Sequence, residues 1–193
     1  MDLVVASPLS RAIDTADLAF PPHRTPNAQG NRECTETVRE IMGLLLNGKR
    51  RPKSELALLY PHWGFSAVAH EEDVLWAAWG DAVLEDAAAT QERAHACLAW
   101  LWQREERDIA LVGHGGIFSL LTNGHGFVEC GAGVGGRFAN CELRTCLLEL
   151  APDDDRPDDR PSIEAAFGGS RSGLAVKSPG EMRFRLTLLE AAT

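Results

Sequence analysis

Arg11 and His114 are the residues whose types and settings best suit work on a phosphoryl group. Each stands just beyond a short apolar run: Ser7, Pro8 and Arg11 follow Asp2 to Ala6, and His114-Gly115-Gly116 follows DIALVG, Asp108 to Gly113. An arginine in the first turn of a helix adds a bidentate fork to the free backbone amides there, a combination that suits phosphate oxygens. A histidine at a neighbouring strand end can hydrogen-bond the same oxygens. Alone, Arg11 reads as a surface arginine and His114 as a turn residue; their arrival at one sheet edge is the informative feature.

The elements that would bring them there are legible as two strand-turn-helix modules. In the first, the valine-rich run Asp2 to Ala6 stops at Ser7-Pro8, which reads as an N-cap and first-turn proline. The helix that follows is expected to carry Ala12, Ile13, Ala16 and Leu18 to a core before Pro21-Pro22 ends it. In the second, DIALVG is a buried strand and IFSLL opens a helix after the glycines. Before it, Ala87 to Glu106 lacks Gly and Pro and repeats Ala94, Cys97, Leu98 and Leu101 at helical spacing. Two such modules predict an α/β fold: a three-layer sandwich whose mostly parallel sheet is flanked by helices, with the site at the carboxyl ends of the strands.

Elsewhere the pattern predicts a polar loop over Pro22 to Asn31, a helix from about Glu33 to Leu46, and an insertion over the sheet edge from Asn47 to Ala82. Within the insertion, Lys49, Arg50, Arg51 and Lys53 form a basic patch that reads as a solvated loop, with Arg51 placed to recruit an anionic substrate. Glu142 to Leu150 reads as a strand. The acidic, proline-rich Pro152 to Pro161 cannot pack, so a domain over 1–150 is expected, followed by a linker and tail over 151–193. In that tail Glu181 to Leu189 alternates weakly, as a returning edge strand would, past the loop GGSRSGLAVKSPG.

Composition removes several function classes. The 193 residues are 45% hydrophobic and carry a formal net charge of -9, which opposes nucleic-acid or anionic-membrane partners. Five cysteines without C-x-x-C spacing suggest reduced thiols in a cytoplasmic setting, and no metal-ligand cluster or cofactor is implied. GAGVGG, Gly131 to Gly136, satisfies a dinucleotide pattern but precedes a strand, so it reads as a glycine loop. The HGG at His114 has no G-x-S-x-G partner, which sets acyl hydrolysis aside. The five tryptophans read as core and cap packing.

Three segments resemble the histidine phosphatase (phosphoglycerate mutase-like) superfamily, in the family's order. They are SPLSRAIDTA (Ser7 to Ala16), TVREIMG (Thr37 to Gly43) and LVGHGGIF (Leu111 to Phe118). KSELALLYPHWGFSAVAHEEDVLW (Lys53 to Trp76) and FANCEL (Phe138 to Leu143) resemble plant, fungal and algal members. The resemblance implies that Arg11 and His114 line a phosphate pocket and that Glu40 protonates the leaving oxygen, while Ser7 is a turn residue. It also implies a phosphorylated small molecule or phosphoprotein as substrate.

The family's nucleophile is the histidine of an R-H-G tripeptide closing a first, central strand, and no R-H-G occurs in these residues. His23, His62, His70, His95 and His125 do not replace it, since none stands at a strand end followed by glycine. The expectation is therefore a phosphomonoesterase or mutase acting through a phosphohistidine in a longer protein, with this chain inactive alone. The alternative is a non-catalytic module that binds phosphate ligands or proteins.

Overall fold

In the computed structural model the described residues are 1–21, 31–43, 46–79, 83–123, 128–151 and 183–192. The predicted loop from Pro22 onward, the acidic Pro152 to Pro161 segment, the GGSRSGLAVKSPG loop and the histidines His23 and His125 lie outside them.

The strand β1 (Leu3–Ala6) has no exposed residue on either face. It runs parallel between β2 (Arg32–Cys34) and β3 (Ile109–Val112), giving the order β2-β1-β3. Alternation divides its side chains between two layers. Val4 and Ala6, with Ala110 and Val112 of β3, face a cluster holding Ile13 and Ala16 of the helix α1 (Ser10–Ala19) and Leu56 of α2 (Lys53–Leu59). Leu111 points the other way, into a cluster built by α4 (Ala87–Trp102) and α5 (Gly115–Thr122). The expected α/β sandwich, a mostly parallel sheet flanked by helices, is present.

A second sheet shares the α4/α5 core. It orders β4 (Val128–Cys130), β6 (Phe184–Ala192) and β5 (Leu143–Leu150), with β6 parallel to β4 and antiparallel to β5. The strand foreseen as an edge is thus the middle of the three. Phe184 and Leu186 explain why, because they bury fully or nearly so against Val128 and α4.

Two local expectations for α1 need correction. Ser7 does not cap the helix: its N–H still donates to Val112 O at 3.0 Å, so the chain stays extended and the cap moves to Leu9. Leu18 is 84% exposed, because it lies two residues, about 200°, around the helix from the buried Ala16. The long helix also ends at Trp102, four residues early, where Arg104 N donates to Leu101 O.

The largest departure is the helix expected from Glu33 to Leu46. Arg32–Cys34 is instead a strand, Glu36–Val38 is one short 3-10 turn capped by Thr35, and the backbone turns extended at Arg39. Pairing wins locally: Cys34 N donates to Gly64 O of the insertion at 2.8 Å, and Gly64 N donates back to Arg32 O at 2.7 Å. These bonds cover the outer edge of β2, as foreseen for the insertion.

The basic patch is likewise not a solvated loop throughout. Arg50 is 4% exposed, and its guanidinium donates to Glu36 Oε1 at 2.6 Å and to the carbonyls of His70, Arg51, Glu71 and Glu72. Beside it the fully buried Arg39 meets Asp73 in a two-pronged pair at 2.7 and 2.8 Å. Asp73 also accepts from the backbone of Arg50 and Trp76, opening α3 (Val74–Trp79). Burial pulls the Asp73 carboxyl pKa up, but the Arg39 guanidinium more than offsets this and holds it below its ordinary value. Replacing Asp73 by alanine strands a buried guanidinium and should cost about 3–5 kcal/mol, read as a lowered urea midpoint. An unchanged midpoint would show that the pair holds nothing together.

Candidate active site

Parallel pairing places the outgoing ends of β1 and β3 side by side, with Ala6 opposite Val112. One residue further along β1 is Ser7, fully buried; two further along β3 is His114, 9% exposed. Their side chains meet, with His114 Nε2 and Ser7 Oγ 2.9 Å apart. The Ser7 hydroxyl also accepts from Leu9 N at 3.4 Å, tying the histidine to the start of α1. Ser7 is therefore more than the turn residue assigned to it, and its spacing from His114 in sequence gave no sign of the contact.

His114 is the N-cap of α5, and its carbonyl accepts from Phe118 N at 3.0 Å. The first amides of that helix therefore open beside its ring, where an anion is favoured by their partial positive charge. Burial, followed by the charges of Arg11, Arg39 and Arg93, drives the imidazole pKa from 6.5 down to about 3. The ring is thus neutral near pH 7, a hydrogen-bonding group rather than a charge.

Arg11 stands in the first turn of α1, its guanidinium exposed enough to meet a ligand and anchored by one bond, Nη1 to Asn47 O at 2.5 Å. Partial burial lowers its pKa, with Glu40 acting the opposite way. The two charges are therefore near one another. Glu40 lies in the irregular backbone after Arg39, half-buried, and not on a helix. Its Oε1 accepts from Ile41 N at 3.0 Å and its Oε2 from Gly116 N at 3.4 Å, in the first turn of α5. A Cβ at Gly116 would stand 2.2 Å from Glu40 Oε1, so a side chain there would push the carboxylate aside. Beside it Gly115 is open, with nothing within 4 Å of an added Cβ.

Arg11, Glu40 and His114 therefore converge, from α1, the segment after the 3-10 turn, and the β3-α5 junction. No hydrogen bond or ion pair links Arg51 to these three among the described residues. It pairs with Glu55 one helical turn away, and its side chain is 53% exposed. Sequence reading also missed Arg93, on α4, and Glu85, just before that helix, which hold the backbone around Glu40. Among the described residues no group of three or more His, Cys, Asp or Glu could hold a metal ion. Cys34, Cys97, Cys141 and Cys146 are free thiols, and no described helix is long and apolar enough to cross a membrane.

A parallel sheet whose strand ends present an arginine on a helix and a neutral histidine at the next helix's amino end defines an α/β protein with its candidate site at the carboxyl edge of the sheet. The chain belongs to the histidine phosphatase superfamily (branch 1), whose family model matches residues 1–149. It is 32% identical to phosphoglycerate mutase-like protein 1 of Arabidopsis thaliana, over 77% of this chain and 61% of that protein. A second Arabidopsis thaliana protein, named phosphoglycerate mutase-like protein, is 29% identical over 77% of the chain and 63% of its own length. The chain thus spans about three fifths of these relatives. No solved structure matches it significantly.

The depressed His114 pKa has a measurable sign. An unfolded chain protonates this histidine near 6.5, whereas the folded chain resists until about 3. Between those values the unfolded state binds more protons, so stability falls as pH drops from 6.5, by on the order of 1 kcal/mol per pH unit. The His114 ring resonance should hold its neutral position from pH 8 to pH 4 by NMR. A midpoint near 6.5 would mean the ring is solvated.

Proposed function

We propose that Arg11, His114 and the open first turn of α5 bind the phosphoryl group of a phosphomonoester, and that Glu40 is the acid for its leaving oxygen. The observation that carries this reading is the meeting of Ser7 and His114 at adjacent parallel strand ends, 2.9 Å apart, with Arg11 in the first turn of the helix that follows. Such donors act on the charge spread over the equatorial oxygens during transfer.

Transfer needs a nucleophile, and these 193 residues contain no R-H-G. In the reading favoured here, a histidine from such a tripeptide in a longer protein attacks phosphorus as the ester P–O bond breaks. The departing alkoxide takes the Glu40 proton, and water or an acceptor alcohol later removes the phosphoryl group from the histidine. Among the described residues β3 pairs on one side only, with β1. Its other edge, leading toward His114, suits the strand that delivers this histidine, and the chain without that strand is inactive. The substrate is a phosphorylated small molecule or phosphoprotein in the cytoplasm. Arg51, on the exposed start of α2, attracts its charge from the rim, and no metal takes part.

The same pocket without a nucleophile favours a second reading, a non-catalytic module that holds a phosphate ligand or a phosphorylated partner. Assays with p-nitrophenyl phosphate separate the two. The 193-residue chain should show no turnover, while a chain extended upstream through an R-H-G strand should be active and lose about 100-fold or more on His114→Ala. Turnover by the short chain at the extended chain's rate would overturn the first reading. A stop codon just before Met1, with phosphate still raising the melting temperature, would establish the second.

A further inference from the structure

The backbone that carries Glu40 has no regular structure of its own between Arg39 and Met42. What holds it is a pair of side chains from the α4 side of the core. Arg93 Nη1 donates to Arg39 O at 2.7 Å and Thr37 O at 3.3 Å, and Nη2 to Glu40 O at 3.4 Å. The same guanidinium meets Glu85 through Nε at 3.0 Å and Nη2 at 2.6 Å. Glu85 grips the far end of the segment: its Oε2 accepts from Met42 N at 3.1 Å, and its own N–H donates to Met42 O at 2.8 Å.

Both side chains are almost fully enclosed, at 9% and 2% exposure. Two charges buried for stability alone are a poor bargain, because apolar residues of the same volume serve as well or better. Here the pair spans a stretch of irregular chain whose carbonyls and amide would otherwise lack partners. The product of that bracing is the fixed Glu40 carboxylate over the first turn of α5, against Gly116.

We propose that the Arg93–Glu85 pair is the positioning device for Glu40, locking its carboxylate against the phosphate pocket rather than letting it swing into solvent. The proposal rests on the phosphate-pocket reading above. Held there, the carboxylate faces any anion at the α5 amino end and opposes it in the ground state, while standing where the leaving oxygen must emerge. Arg93 touches no ligand; it acts through Glu40.

Titration of the 193-residue chain with inorganic phosphate at pH 7.5, by calorimetry and melting shift, tests this with a double-mutant cycle. Glu40→Gln should tighten phosphate binding about fivefold, since a unit charge facing the anion is removed. In an Arg93→Lys background, where one ammonium cannot span Glu85 and three carbonyls, the same substitution should change affinity less than twofold. Glu85→Gln keeps an acceptor for Met42 N and serves as the second background should Arg93→Lys fail to fold. Equal tightening by Glu40→Gln in native and bracket-deficient chains would overturn the proposal and leave Arg93 a purely structural residue. So would a Glu40→Gln chain that binds phosphate no better than the native one. If no chain binds phosphate and His114→Ala changes nothing, the pocket reading itself falls.

Discussion

The parallel register that sets Ala6 opposite Val112 governs the geometry of the site. Because both strands run the same way, their following turns leave the sheet at one edge, and the residues just past each strand end must meet. Ser7 and His114 do so across 107 positions of sequence. Two helices then begin from that edge with their amino ends toward it, and Arg11 rides on the first of them. An antiparallel arrangement of the same segments would send the two modules to opposite ends and dissolve the pocket.

A second constraint is the cost of burying charge. In a chain of net charge -9, three arginines are gathered inside: Arg39 and Arg50 are nearly or fully enclosed by Glu36, Asp73 and carbonyl oxygens, and Arg93 is held by Glu85. These guanidinium groups do for irregular backbone what a ladder does for a strand, satisfying several carbonyls from one fixed fork. Burial first, and then the positive charges of Arg11, Arg39 and Arg93, keep the His114 ring neutral. Structural pairing and pocket electrostatics thus share the same residues.

The helix expected over Glu33 to Leu46 shows why composition misled. Its residues favour helix modestly, a preference of tenths of a kcal/mol each that tertiary bonds override. Strand pairing takes Arg32–Cys34, and the Arg93–Glu85 bracket takes Thr37 to Met42. Glu40 consequently reaches Gly116 from extended chain, a direction that helical placement would not have provided. The basic patch erred for a related reason: charge in a sequence says nothing of whether a carboxylate lies folded beside it, as Glu36 does for Arg50.

The sequence by itself determined the α/β architecture, the two strand-turn-helix modules and the family, and it singled out Arg11, Glu40 and His114 as candidates, because periodicity and motif spacing are local properties written within about twenty residues. Only the tertiary structure decided that Ser7 holds His114, that β6 is an inner strand, and that Arg93 and Glu85 brace Glu40. Each of these depends on groups far apart in the chain being brought within hydrogen-bonding or packing distance. That proximity is set by how the core closes, and no local pattern encodes it.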